Sequence, residues 1–467
     1  MAPASIIELH PERLSWAPGH TTPPKSVDGA FPLEAFDVCR GLTGSISEAN
    51  FRYSVTHYGE NAVGDAFGPL GLDSLLSFCR GLAVQTERSR GVVVYVSDSS
   101  ESSRANAAVL LGAYLVFELA WSAHRVEEAL GRHEASRTFP CSWGRKPSRN
   151  LTVKHCWQGC ELALKQGWVD TSCLRSDEGT AYACAGWKDR IVTYDCAWLV
   201  PGFIMICADP VTTAADPNPE TFSDVFPQQP VGDLTISTCF DGEDSKSKVG
   251  STSPRSGLTS PCVGFVVESV EPDLPQVAGM ASDALSTDTV CKEYRASFAP
   301  PSPKASGGPS DFVTFMQESG VAMVVRTNFN GESGMPQGGS YDSRGMERQG
   351  IKHYDILVED HNGGLPQKKD IRRLLMVGPK ADGDGAVAVH CKGGFGRSVV
   401  MACCLAIDRL DVPGAAMLGW VRIVRPGAVN TPSQEQMLMG LKGRSSIRSF
   451  ANMGEAGAAQ QGCCSVQ

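Results

Sequence analysis

The chain has 467 residues, 42% apolar and 20% charged, and 42 basic against 51 acidic side chains give a net charge of -9. That length suits two or three domains with cores of their own, and the acidic balance lacks the basic footprint of a nucleic-acid binder. No uninterrupted apolar run reaches the roughly 18 residues of a membrane helix. Residues 1–14 carry His10, Glu12 and Arg13 where a signal peptide would have an apolar core, so an intracellular protein is expected. Its 17 cysteines are scattered without zinc-type pairing and read as thiols; no metal and no cofactor is expected.

A first globular domain is expected over residues 6–209. In it, residues 91–96 (GVVVYV) read as a buried strand, 97–104 as a polar loop and 105–119 (ANAAVLLGAYLVFEL) as a buried helix. Residues 210–309 are rich in Pro, Ser, Asp and Gly and offer little apolar surface against ordering entropy, so they read as a flexible insertion or linker. Ser253-Pro254-Arg255 and Ser302-Pro303-Lys304 within it resemble proline-directed kinase sites.

A second domain is expected over 310–445, followed by a flexible tail, 446–467. Helix is predicted over 311–319, strand over 321–326, a short helix over 341–349 and strand over 353–358. Helix over 367–377 and strand over 386–389 follow, the latter feeding a glycine-rich loop, and helix resumes over 398–410. Asp411 and Pro413 are expected to open one more helix, as cap and first-turn proline. Strands alternating with helices predict an α/β fold with a largely parallel sheet.

The loop reads His390-Cys391-Lys392-Gly393-Gly394-Phe395-Gly396-Arg397-Ser398. A loop closing onto a helix N-terminus turns backbone N–H groups and the positive end of the helix dipole toward an anion. Gly393, Gly394 and Gly396 give the backbone the freedom this needs, and Lys392 and Phe395 complete the phosphate-binding segment. The same field favours a thiolate at Cys391, since cysteines in such settings fall to a pKa of roughly 3.5–7.5. Arg397 offers a planar fork for two phosphoryl oxygens. Ser398 is placed to stabilise the departing thiolate, and His390 to brace the loop. A leaving alkoxide needs a proton, and Asp355, Glu359 and Asp360 follow the preceding strand; Asp360 opens the permissive segment His361-Asn362-Gly363-Gly364. A second His-Cys pair, His155-Cys156, has Leu162 six residues on and no intervening loop of glycines, and reads as structural. A faint repeat is also present: strand, loop and apolar helix recur over 91–119, where Asp98 and Arg104 repeat the spacing of Cys391 and Arg397 without a thiol.

At these residues the chain resembles the cell-division-cycle-fourteen dual-specificity phosphatases. The resemblance runs through Glu12-Arg13-Leu14, Phe67-Gly68-Pro69-Leu70, Arg104-Ala105-Asn106-Ala107-Ala108, Trp198-Leu199-Val200-Pro201, Trp420-Val421-Arg422 and Arg425-Pro426-Gly427. The family's catalytic loop is HCKAGLGRTG where this chain has HCKGGFGRSV. It implies two tandem phosphatase-like domains, each a twisted, mostly parallel sheet flanked by helices, the second catalytic. It also implies Asp360 as the acid and Gln434, in Thr431-Pro432-Ser433-Gln434, as the residue that positions water. Phosphoprotein substrates with phosphoserine before proline and a basic residue nearby are implied, with a groove whose acidic candidates are Asp177, Glu178 and Asp195. Nuclear and cytoplasmic, centrosomal or basal-body placement and a cell-cycle role follow from the same resemblance.

Two rival readings are a phosphoinositide phosphatase, which usually carries a second lysine where Phe395 stands, and a silent phosphopeptide-binding module, which needs no thiolate. Finally, Cys464-Ser465-Val466-Gln467 matches a farnesylation motif at Cys464, giving weak membrane attachment.

Overall fold

The structure is a computed structural model that describes residues 6–10, 13–18, 31–32, 68–88, 93–97, 101–139, 150–213, 309–333, 335, 338–360, 364–380 and 385–452. By its contacts the chain divides into Met1–Val231 with Thr289–Gln467, and Gly232–Asp288; all described residues belong to the first unit. Asp98, Ser253, Ser302, His361, Asn362, Gly363, Cys464 and residues 214–308 lie outside the described residues.

The first sheet has the order β1-β2-β4-β3. β1 (Ile7–His10) is antiparallel to β2 (Leu14–Pro18), whereas β3 (Phe31–Pro32) and β4 (Val93–Ser97) run parallel to it and to each other. The strand expected at 91–96 is thus β4, and the following helix spans Glu101–Phe117. It takes in half of the expected polar loop because Glu101 in the first turn suits the helix dipole. Within that helix Gly112 leaves room for Trp157, whose Nε1 donates to Ala108 O at 2.9 Å; a Cβ at Gly112 would lie 2.0 Å from the indole nitrogen.

The second sheet has the order β10-β9-β11-β8-β7. Its strands are β7 (Cys196–Val200), β8 (Ile204–Ala208), β9 (Val321–Arg326), β10 (Lys352–Asp355) and β11 (Ala386–Cys391). All pairings are parallel except the β7–β8 hairpin. β11 and β8 are buried along their whole length, which requires helices on both faces. Val387 and Val389 face one side, with the core that includes helices Arg397–Leu410 and Gly414–Val424. Ala386 and Ala388 face the other, against Phe312, Phe315 and Met316 of helix Pro309–Glu318.

This topology corrects the expected boundary at residue 209. β7 and β8 pair into the second sheet, beside β11, so residues 196–208 belong to the half that carries Cys391. Their apolar runs gave no sign of which sheet they would join. A second correction concerns Asp411, which does not open a helix: at φ 55 it closes helix Arg397–Leu410, and Pro413 is the N-cap of Gly414–Val424. A two-stranded ribbon, β5 (Thr138–Phe139) with β6 (Leu151–Thr152), completes the strands described.

The halves are joined by close packing of helix Val153–Lys165 on helix Gly414–Val424. Glycine makes this approach possible from both sides. A Cβ at Gly159 would stand 2.5 Å from Trp420 N, and one at Gly419 2.0 Å from His155 O. Trp187 donates to Val424 O across the join, and within the second half Trp420 donates to Leu199 O, each at 2.9 Å, so both buried indoles satisfy their N–H groups. His155 caps its helix with Thr152 and Cys156 is fully buried, in keeping with their structural reading.

Candidate active site

β11 occupies the middle of the sheet, and its C-terminal end delivers Cys391 into the glycine loop. The thiol is buried, with 4% of the residue exposed. Gly394 N donates to its Sγ at 3.2 Å and Ser398 Oγ at 3.3 Å, which puts one backbone and one hydroxyl donor on the sulfur. Gly394 sits at φ +67, and a Cβ there would meet Cys207 O at 2.5 Å and the Arg425 guanidinium at 2.6 Å. Glycine is required on both counts. The loop then enters helix Arg397–Leu410 through Gly396.

Arg425 holds the loop from outside. Its Nε donates to Gly394 O at 2.6 Å and its Nη2 to Gly393 O at 3.2 Å, while the guanidinium lies 4.4 Å from the centre of the Phe395 ring. With those carbonyls turned outward, the loop can offer N–H groups to an anion on its inner side. Arg425 is in turn held by Asp195, through its backbone O at 3.1 Å and Oδ1 at 2.8 Å. Asp195, expected in a substrate groove, is therefore an anchor of the catalytic loop, and its left-handed position (φ 48) at the end of helix Asp177–Tyr194 aims it there.

Asp177 and Glu178 are exposed in the first turn of the same helix, where acidic side chains complement the dipole, and Asp177 pairs with Arg80 at 2.7 Å. Lys392 is buried in the loop, and its Nζ donates to Ser333 O at 2.8 Å.

Arg397 is 3% exposed. Nη1 donates to Glu332 Oε2 at 2.7 Å and Val358 O at 3.1 Å, and Nη2 to Glu332 Oε1 at 2.5 Å. Burial works against its charge, but the hydrogen bonds it donates to Glu332 prevail and hold the guanidinium above its usual pKa. Asp360 Oδ1 lies 3.6 Å from Arg397 Nε, and the Asp360 side chain is half exposed at 52%. The backbone beyond it folds back onto the arginine: a Cβ at Gly364 would touch Arg397 Cγ at 2.8 Å and Asp360 Oδ1 at 3.3 Å. Gln434 closes the other flank, its Nε2 donating to Gly364 O at 3.2 Å and lying 2.9 Å from a Cβ at Gly396. Asp360 and Gln434, far apart in sequence, are thus both brought to the Arg397 end of the loop.

Beneath the loop runs a buried polar chain. His390 Nε2 and Tyr341 OH are 2.6 Å apart, and Tyr341 OH and His353 Nε2 2.9 Å. Burial pushes both histidines down to a pKa of about 3, and burial raises Tyr341 far above its usual range. His390 therefore braces the loop as a neutral ring, with Asp209 Oδ2 4.0 Å from its Nδ1. Asp209 itself accepts from Ser340 Oγ at 2.6 Å and Asn328 Nδ2 at 2.9 Å.

Sequence reasoning passed over three of these residues. Glu332 stands in Gly331-Glu332-Ser333-Gly334, and a glycine-flanked acid just beyond the C-terminal end of a parallel strand was the available signal. Arg425 stands in Arg425-Pro426-Gly427, a stretch that carries the family resemblance but signals no role, and Tyr341 gave no signal beyond its residue type.

A strand that carries a buried thiol into a glycine loop, closed by an arginine in the first turn of the next helix, defines the class of the cysteine-dependent phosphatases. The family described as "Dual specificity protein phosphatase, N-terminal half" matches residues 51–163. The chain is 23% identical to dual specificity protein phosphatase CDC14A of Mus musculus over 380 residues, which covers 80% of this chain and 46% of that protein. It is 23% identical to tyrosine-protein phosphatase cdc-14 of Caenorhabditis elegans over 383 residues, or 80% and 39% of the two chains. The chain is thus similar to CDC14 dual specificity phosphatases, and it matches about half the length, or less, of these relatives. Among solved structures, that of Tk-PTP in the active form is similar at 23% identity and a TM-score of 0.23, covering 28% of this chain and 82% of that one.

Proposed function

We propose that this chain is a dual-specificity protein phosphatase that hydrolyses phosphoserine, phosphothreonine and phosphotyrosine through a phosphocysteine intermediate. The observation that carries this is the pair of donors on the Cys391 sulfur, Gly394 N and Ser398 Oγ, beside the Arg397 fork. The Cys391 thiolate attacks phosphorus; the P–O ester bond breaks, and Asp360 gives the leaving oxygen its proton. Water then attacks the phosphocysteine and passes its proton to the Asp360 carboxylate. The P–S bond breaks, Ser398 hydrogen-bonds the departing thiolate, and inorganic phosphate leaves. Gln434 is placed to orient the water.

Proline-directed phosphoserine sites, a role in cell-cycle control and a nuclear, cytoplasmic or centrosomal location complete the proposal and rest on the family. Weak membrane attachment through a lipid at Cys464 rests instead on the motif Cys464-Ser465-Val466-Gln467, and the intact mass of protein from a eukaryotic host decides it. Turnover of a phosphoserine-proline peptide, a phosphotyrosine peptide and a soluble phosphoinositide, measured side by side, tests the activity. Hydrolysis of both peptides is expected, and hydrolysis of the phosphoinositide alone would overturn it.

A further inference from the structure

Glu332 lies on the connection between β9 and β10, outside every motif of the catalytic loop. Yet this connection is tied to the loop at both ends. Glu332 takes the end of the Arg397 fork with both carboxylate oxygens, and Ser333 O accepts from Lys392 Nζ. The carboxylate is also fixed by its own chain, since Phe329 N donates to Glu332 Oε2 at 3.2 Å.

An arginine has five N–H donors, and which of them Glu332 uses decides what it does. Both Nη1 donors are engaged, by Glu332 and Val358 O, and one Nη2 donor by Glu332. The remaining Nη2 donor and Nε–H lie on one edge of the guanidinium. That edge can still grip two phosphoryl oxygens side by side, and it is the edge on which Asp360 stands, 3.6 Å from Nε. A carboxylate that blocked the site would take this edge; Glu332 takes the other.

We propose that Glu332 is a positioning residue: it fixes the plane of Arg397 so that the Nε/Nη2 edge faces the transferring phosphoryl group. The proposal rests on the phosphatase reading. Its energetic basis is preorganisation, since an arginine already oriented need not surrender rotamer freedom as charge develops on the phosphoryl oxygens.

The test compares wild type, Glu332→Gln, Glu332→Asp, Arg397→Lys and the Glu332→Gln/Arg397→Lys double variant. Each is assayed for hydrolysis of p-nitrophenyl phosphate, for tungstate binding by calorimetry and for its unfolding midpoint. Gln presents one acceptor and an amide N–H that opposes the fork, so kcat should fall about tenfold to hundredfold and tungstate binding should weaken, with the midpoint little changed. Glu332→Asp should recover part of the loss. In the Arg397→Lys background, which lacks the fork, Glu332→Gln should add little, a non-additivity that a merely structural role would not produce. Unchanged kcat, or tighter tungstate binding by Glu332→Gln, overturns the proposal, the latter by showing a carboxylate that competes with phosphate. If wild type hydrolyses no phosphoester, the phosphatase reading fails, and the tungstate affinities still decide the role of Glu332.

Discussion

Asp355 is bound to Arg326 by both carboxylate oxygens, Oδ1 to Nε at 2.7 Å and Oδ2 to Nη2 at 3.0 Å. Burial pushes its pKa up, but the Arg326 hydrogen bonds outweigh this and hold the carboxyl below its usual range. A carboxylate so held is a poor proton donor. Asp360, half exposed and 3.6 Å from Arg397 Nε, is the proposed acid. Asp360→Ala should therefore slow a phosphoserine peptide by about 10²–10⁴, and an aryl phosphate, whose leaving group needs little protonation, far less. Asp355→Ala should instead lower the unfolding midpoint and slow both substrates alike. A leaving-group dependence confined to Asp355→Ala would reverse the assignment.

Ser398 bears on the second chemical step. Removing its hydroxyl strips one of the two donors from the Cys391 sulfur at the moment the thiolate departs. In Ser398→Ala, stopped-flow assays with p-nitrophenyl phosphate should show a burst of nitrophenol followed by a slow steady state. A variant slowed equally in both phases would place Ser398 in the first step instead.

The Asp195–Arg425 pair tests how far the loop depends on its outer brace. Asp195→Asn keeps the shape but removes the charge opposite a buried guanidinium, at a cost of about 1–3 kcal/mol. Both the unfolding free energy and kcat should fall, while the KM for a phosphoserine-proline-lysine peptide should not change selectively. A rise in KM for basic peptides alone would return Asp195 to the substrate groove.

Acid should destabilise the fold through its buried histidines. Burial lowers His353 and His390 to a pKa of about 3; burial, with Lys154 and Lys442 nearby, lowers His155 to about 4. Below pH ~6.5 the unfolded chain takes up protons that the folded rings refuse, so stability falls with falling pH until each folded value is passed. Each histidine contributes a slope of up to about 1.4 kcal/mol per pH unit in that window. His155→Gln, which leaves the catalytic loop untouched, should reduce the slope between pH 6 and 4.5 in urea titrations. An unaltered slope would mean that His155 is charged in the folded protein.

Much of the catalytic half was legible because its signals are local. β9 falls on the expected residues 321–326, and Cys391, Arg397 and Ser398 needed only a strand, three glycines and a helix start. The strand expected over 353–358 is Lys352–Asp355, beyond which Ile356 N and Val358 N still donate to Arg326 O and Thr327 O, and Val358 O accepts from Arg397. What sequence could not show is what depends on long-range contact. The allocation of the β7–β8 hairpin to the second sheet rests on the pairing of β8 with β11, distant in sequence, as in Ile204 opposite Val387. Likewise Asp195 looks like any helix-terminal acid until Arg425, 230 residues on, is seen beside it. Lys392 and Glu332 repeat the lesson: a residue type names the chemistry a side chain can do, and its neighbours decide which of these it does.

The central claim is that Cys391 attacks phosphorus. The most direct measurement is rapid acid quench of the enzyme during turnover of a phosphotyrosine peptide, followed by mass spectrometry of its peptides. Phosphate should be found on Cys391 in wild type and should accumulate in Ser398→Ala. It should be absent from Cys391→Ser, which should also show no turnover while still binding the phosphopeptide. Turnover by Cys391→Ser, or phosphate trapped on a different residue, would contradict the account.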